Sequence, residues 1–299
     1  LVLAEKSDRV VLFVLWNEDY RYAEFQDGIW SALTPWDRSL NVRLARAIAD
    51  EQDGLHAGAY GPNSNSNEPW FFDAYYLYHD GSGWTELTLD DFVNVNGEDT
   101  TWADRDGTIV CTGQPIGGAR STKTYTNFEL VLEWKHERHA GNSGVFLWCP
   151  ESAFADLQPG QLPRSGIEVQ VLDLGYEENW ETNKGAPSDW FTSHGDVFPV
   201  GESKMKPFTP RIEYTAADGT AYTVGQPKST RSFPTRRLTR AAGEWNHYYI
   251  RAINGEVRLW VNGEEVNGGS QCAPRTGYLA LEAEGAPVEF RNVRIRELP

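Results

Sequence analysis

The chain has 299 residues, 40% hydrophobic and 23% charged, a composition that fits one large folded domain with an extension, or two domains. A formal net charge of -16 repels phosphate backbones and anionic lipid, which argues against nucleic acid and membrane surfaces as partners. There is no run of 18 apolar residues to span a bilayer, and the longest apolar stretch, Val10 to Trp16, is followed by Asn-Glu-Asp.

The chain starts at Leu1, so any signal peptide would already be gone, and a secreted or periplasmic protein is expected. Cys111, Cys149 and Cys272 are odd in number and lack CxxC spacing, so neither a zinc site nor a complete disulfide framework is indicated, although one pair could bridge. Residues 1–81 form an N-terminal extension of mixed strand and helix. VVLFVLW predicts a buried strand. Asp37 or Ser39 could cap a helix carrying Leu40, Leu44, Ala47 and Ile48 and ending near Asp50. GAYGPNSNSNEPW has the composition of a loop, and Trp70 to Tyr78 could be a further strand. With no chemical motif here, packing or contact with a partner protein is the expected role.

From Gly83 the chain becomes a series of short strands separated by turn residues: WTELTL, GTIVCTG, NFELVLEW, GVFLW, GIEVQVLD, NHYYIRAI, EVRLWVNG, GYLALEAEG and VEFRNVRIREL. That rhythm predicts an all-β sandwich or barrel, with Asn262-Gly263 turning a hairpin. The polar, Pro-rich interval from Glu177 to Arg237 breaks the rhythm, and loops of that length are functional or disordered.

Within NSGVFLWCP and SGIEVQVLD, period-two reading puts Val145 and Leu147 opposite Phe146 and Trp148. It puts Ile167, Val169 and Val171 opposite Glu168 and Gln170. Each strand thus has an apolar face and a face of aromatic or hydrogen-bonding groups, the pattern of a carbohydrate site or of an ordinary half-exposed strand.

The ordered blocks GTIVCTGQPIGGARSTKTYTNFELVLEWKH, GNSGVFLW, GIEVQVLD, GEWNHY and GYLALEAEGAPVEFRNVRIREL resemble the 3-keto-disaccharide hydrolase family over residues 82–299. The resemblance implies a concanavalin-like jelly-roll β-sandwich. It also implies cleavage of 3-keto-glycosides by base-catalysed elimination at C1–C2, then hydration of the 3-keto-2-hydroxyglucal. Many relatives carry a basic residue at the position of Trp148, and LQxHG where this chain has Leu281-Glu282-Ala283-Glu284-Gly285; the DWFTSHGDVFP loop resembles one subgroup.

Such chemistry needs a base, a stabiliser for the enolate oxygen and an acid for the leaving group. His194, in SHGD, is the leading candidate base, oriented by Asp196. Glu168, Gln170 and Asp173 form an E-x-Q-x-x-D string like the E-x-D-x-x-E of retaining jelly-roll glycosidases; Asp173 joins the other two only if a bulge shifts the register. The expected catalytic set is therefore His194, Glu168 and Asp173. Gln170, Trp148, Arg120, Asp196, Trp190, Glu282 and Glu284 are expected to bind substrate, with Trp148 and Trp190 as sugar platforms. Core packing is the competing role for the tryptophans, and a strand-ending turn for Asp173. Lys135 reads as a surface charge and His247 as structural. His136 and His139 read as solvated, and Arg231–Arg237 as a solvated loop that could reach an acidic partner.

No metal site is evident, although Glu282 and Glu284 leave room for a divalent cation such as calcium. The expected partner is a carbohydrate. The alternatives are a noncatalytic carbohydrate-binding or assembly module on the same sandwich, and a conventional glycoside hydrolase using Glu168 and Asp173.

Overall fold

The computed structural model describes residues 84–216 and 218–298 in full and, within residues 1–83, the course of the strands alone. Val2–Lys6, Arg9–Trp16, Asp19–Gln26, Ile29–Trp30 and Thr34–Pro35 form one antiparallel sheet, and Arg43–Ala49, Leu55–Pro62 and Phe72–His79 form another. The VVLFVLW and aromatic segments are strands, as their composition predicts. The predicted helix is overturned: Arg43–Ala49 pairs with Leu55–Pro62 as a strand, because hydrogen bonding to a neighbouring segment outweighs a short stretch of helical spacing. Asp37, Ser39 and Leu40, which were to begin it, lie outside the described residues. So do residues 63–70 of the expected loop, whose first part belongs to the Leu55–Pro62 strand.

Residues 84–299 form a second compact unit, an all-β jelly-roll sandwich of antiparallel sheets. Its strands are β1 (Thr85–Glu86), β2 (Phe92–Asn94), β3 (Trp102–Arg105), β4 (Thr108–Cys111), β5 (Gly117–Tyr125), β6 (Asn127–His136), β7 (Asn142–Cys149) and β8 (Gly166–Leu172). After helix α1 (Gly175–Lys184) come β9 (Val197–Val200), β10 (Lys204–Pro207), β11 (Arg211–Thr215), β12 (Ala221–Gly225), β13 (Asn246–Ile253), β14 (Glu256–Val261), β15 (Glu264–Ala273), β16 (Gly277–Ala283) and β17 (Val288–Leu298). One sheet runs β2-β5-β16-β7-β8-β9. The other runs β3-β4-β17-β6-β13-β14-β15-β10, with β1 pairing β17.

Alternation builds the core. Phe128, Leu130, Leu132 and Trp134 of β6 and Tyr248, Ile250 and Ala252 of β13 meet Val145, Leu147, Ile167, Val169 and Val171 of the facing sheet, all 1% exposed or less. Burying each large side chain contributes roughly 1.5–3 kcal/mol. Asn262-Gly263 turns β14 into β15 with φ of 50° and 97°, the doubly positive geometry that the sequence pair favours.

The Glu177–Arg237 interval is ordered. It holds α1, the β11–β12 hairpin with its own small core of Tyr214, Val224 and Phe233, and a return segment hydrogen-bonded to β9 through Val197 and Ser232. It therefore borders the six-stranded sheet at β9.

Candidate active site

The site is built on the outer face of the six-stranded sheet. Val145, Ile167, Val169, Leu281 and Ala283 point into the core, so the alternate residues Gly144, Phe146, Glu168, Gln170, Ala280 and Glu282 lie on the opposite face. In the register Gly144 pairs with Gln170 on one side, while Val145 pairs with Leu281 on the other. Gly144 therefore separates two glutamate-bearing strands. A Cβ there would lie 2.4 Å from Oε2 of Glu282 and 2.9 Å from Oε1 of Glu168. Glycine at this position leaves the space in which the two carboxyl groups converge.

These groups hold protons tightly. Glu282 is 1% exposed and neither of its carboxyl oxygens has a hydrogen-bond partner; burial, then the charges of Glu168 and Glu284, raise its pKa far above the usual carboxylate range. Burial and Glu284 push Glu168 up to about 8 against the opposing charge of Arg231, and burial pushes Glu284 up to about 7. At neutral pH the cluster thus contains both protonated and ionisable carboxyl groups, the arrangement that acid–base chemistry requires.

Polar and aromatic groups adjoin the cluster. Gln170 donates through Nε2 to Asn142 Oδ1 at 2.8 Å and to the Ser143 carbonyl at 3.2 Å. Arg231 donates to Asp196 Oδ2 at 2.9 Å and reaches Gln170 Oε1 at 3.5 Å. Its guanidinium carbon lies 3.6 Å from the ring centre of Phe198 and 5.6 Å from that of Trp190. Trp190 is 52% exposed although it packs edge-on against Trp180 and Phe191.

Several predicted residues take other places. The β7–β8 pairing runs without a register shift, so Asp173 does not join Glu168 and Gln170. Its Oδ2 instead accepts the backbone N–H groups of Ala140 and Gly175, tying a turn to the start of α1. The E-x-Q-x-x-D string therefore supplies no Glu168–Asp173 acid pair.

His194 is 4% exposed, accepts the Thr239 N–H on Nδ1 at 3.2 Å, and places Nε2 3.5 Å from Glu177 Oε2. Burial, helped by Arg237, lowers its pKa to about 3. Asp196 does not orient it; that carboxylate accepts from the backbone and hydroxyl of Thr192 and from Arg231. A neutral, enclosed imidazole anchoring a backbone N–H is a structural group. His194→Ala is expected to cost about 1–3 kcal/mol of stability by stranding that donor. Thermal unfolding and a pH–rate profile check this: the melting temperature falls while both limbs stay in place.

A bulge places Trp148 at φ 56° and turns it into the core, fully buried edge-on to Phe128, with Nε1 donating to the Thr126 carbonyl. It cannot be a sugar platform. Arg120 is on the site's sheet, but its guanidinium lies over Tyr278 at 4.4 Å and donates to the Ser121 carbonyl. His136, read as solvated, is 1% exposed and bonded to the Val171 carbonyl, whereas His139 is exposed beside Glu178. Among the described residues no group of three or more His, Cys, Asp or Glu is arranged to hold a metal ion. Gly144, Asn142 and Phe198 were not anticipated. Arg231 was read as solvated because nothing in the Pro-rich segment announces its buried partner Asp196.

The family model for the 3-keto-alpha-glucoside-1,2-lyase-like domain matches residues 79–296. Two crystal structures provisionally described as glycosyl hydrolases from Parabacteroides distasonis ATCC 8503 are similar. One is 21% identical with a TM-score of 0.45, covering 73% of this chain and 94% of that one. The other is 19% identical with a TM-score of 0.46, covering 73% and 100%. The carbohydrate binding module CBM66 from Bacillus subtilis is 12% identical with a TM-score of 0.42, covering 68% and 93%. No curated protein sequence matches.

Proposed function

The chain belongs to the carbohydrate-active 3-keto-alpha-glucoside-1,2-lyase-like family, and from that premise we propose that it cleaves glycosides already oxidised at C3. The observation that carries this reading is the convergence of Glu168 and Glu282 beside Gly144, with Glu284 close enough for its charge to act on both and proton affinities spread upward from about 7.

A C3 ketone acidifies the C2–H bond, because loss of that proton gives an enolate. Glu284, with the lowest raised pKa of the three, takes the proton. Glu282, kept neutral by its burial, donates a hydrogen bond to the C3 oxygen as charge builds there. Glu168, protonated below about 8, gives its proton to the glycosidic oxygen as the C1–O bond breaks. The unsaturated 3-keto sugar then takes up water. Glu168 removes a proton from the water as its oxygen bonds to C1, and Glu284 returns the proton to C2. Both groups end in their starting states.

Relatives with LQxHG carry an amide and an imidazole where this chain has Glu282 and Glu284. A neutral carboxylic acid replaces the amide as donor, and a carboxylate raised to about 7 replaces the imidazole as a base near neutrality.

The test is incubation of a 3-keto-α-glucoside in deuterated water, followed by mass spectrometry. The expected product is 3-ketoglucose carrying deuterium at C2, with no release from the unoxidised glucoside. Release from the unoxidised sugar, or binding without release from either, would sink the elimination reading.

A further inference from the structure

The reaction fixes where the sugar reacts but leaves open what holds the leaving group. Arg231 supplies the connection, since its charge acts on Glu168 while its guanidinium lies between Phe198 and Trp190. Phe198 pairs with Glu168 across β8 and β9, so Trp190 adjoins the Glu168 side of the cluster, and Glu168 is the group that faces the leaving oxygen in the mechanism above.

Trp190 is built as a platform. Its 52% exposure is unusual for so large an aromatic side chain. Trp180 at 6.0 Å and Phe191 at 4.8 Å brace it edge-on, and Tyr176, itself 39% exposed, packs on Phe191 at 6.0 Å. The bracing fixes the ring and continues the aromatic surface onto α1. Around the ring the packing contacts are aromatic, while Arg231 Nη1 is held by Asp196 and the Ser188 hydroxyl accepts from the backbone N–H groups of Trp190 and Phe191. A second sugar ring would need hydrogen-bond partners for its hydroxyls, whereas a planar aromatic group needs only the face.

Resting on the 3-keto-glycoside reading, we propose that Trp190 is the leaving-group subsite and that it selects glycosides with an aromatic aglycone. The glycon occupies the carboxyl cluster, the glycosidic oxygen meets Glu168, and the aryl ring lies on Trp190.

Binding and turnover are measured separately. Calorimetric titration with unreactive phenyl α-glucoside, methyl α-glucoside and maltose should show phenyl α-glucoside bound roughly tenfold more tightly than either other ligand, the size of one aromatic contact. In Trp190→Ala that ratio should fall toward one, and Trp190→Phe should restore most of it. Equal binding of the phenyl and methyl glucosides, a preference for maltose, or a preference that survives Trp190→Ala would each overturn the subsite. Aryl selectivity in titration without turnover of the oxidised phenyl glucoside would keep the subsite and refute the lyase reading. Turnover of oxidised substrates without aryl preference would do the reverse.

Discussion

Glu284→Gln is expected to lower kcat on a 3-keto-α-glucoside by about 10²–10⁴-fold, the usual contribution of a positioned base. The same variant should lose exchange of the C2 proton with deuterated solvent, because that exchange needs the base and no leaving group. The wild-type pH–rate profile should be a narrow bell. Glu284 acts ionised, so its pKa of about 7 sets the acid limb; Glu168 acts protonated, so its pKa of about 8 sets the alkaline limb. Rate is therefore lost below about 7 as Glu284 gains a proton and above about 8 as Glu168 loses one. Glu284→His should recover activity to within about tenfold of wild type, since imidazole titrates in the same range. Glu282→Gln should be milder than Glu284→Gln, because an amide still donates a hydrogen bond to the C3 oxygen. If Glu284→Gln retains C2 exchange, or if Glu282→Gln is the more damaging change, the assignment of base and donor is wrong.

The jelly-roll was legible because period-two alternation is a local signal. The strand segments NFELVLEW, GIEVQVLD, NHYYIRAI and GYLALEA are strands in the structure, and Asn262-Gly263 turns where its φ preference requires. Glu168, Gln170 and Glu282 could be put on one face of their strands by the same counting. That counting fails wherever a bulge occurs or is wrongly assumed. It put Trp148 outside with Phe146, although one residue at φ 56° turns it inward, and it needed a bulge at Asp173 that the β7–β8 ladder lacks. His194 was favoured for its chemistry, which depends on solvent access, and access is decided by Thr239 and Glu177, 45 and 17 residues away in sequence. Gly144 was invisible for the opposite reason. Its role is the side chain it lacks, and that matters once Glu168 and Glu282 are known to flank it.

Arg231→Met should be the most damaging change to both stability and rate among residues that carry no proton in the reaction. Asp196 is fully buried, and Arg231 at 2.9 Å is the cation that faces it. Removing one partner of such a pair leaves a buried charge behind and costs about 3–5 kcal/mol. The two bonds from Thr192 to Asp196 persist, which places the loss toward the lower end of that range. Arg231→Met combined with Asp196→Asn removes the stranded charge and should recover most of the melting temperature. It should recover the rate profile only in part. Arg231 lowers the pKa of Glu168, so without it that pKa rises and the alkaline limb moves above about 8. Asp196 raises the same pKa by a smaller effect, so the limb should shift furthest in the single variant and less in the double, while the double is the more stable of the two. That separation distinguishes an electrostatic role in the site from a purely structural one: a limb that stays in place in both variants would leave Arg231 as the counter-ion of Asp196 and nothing more.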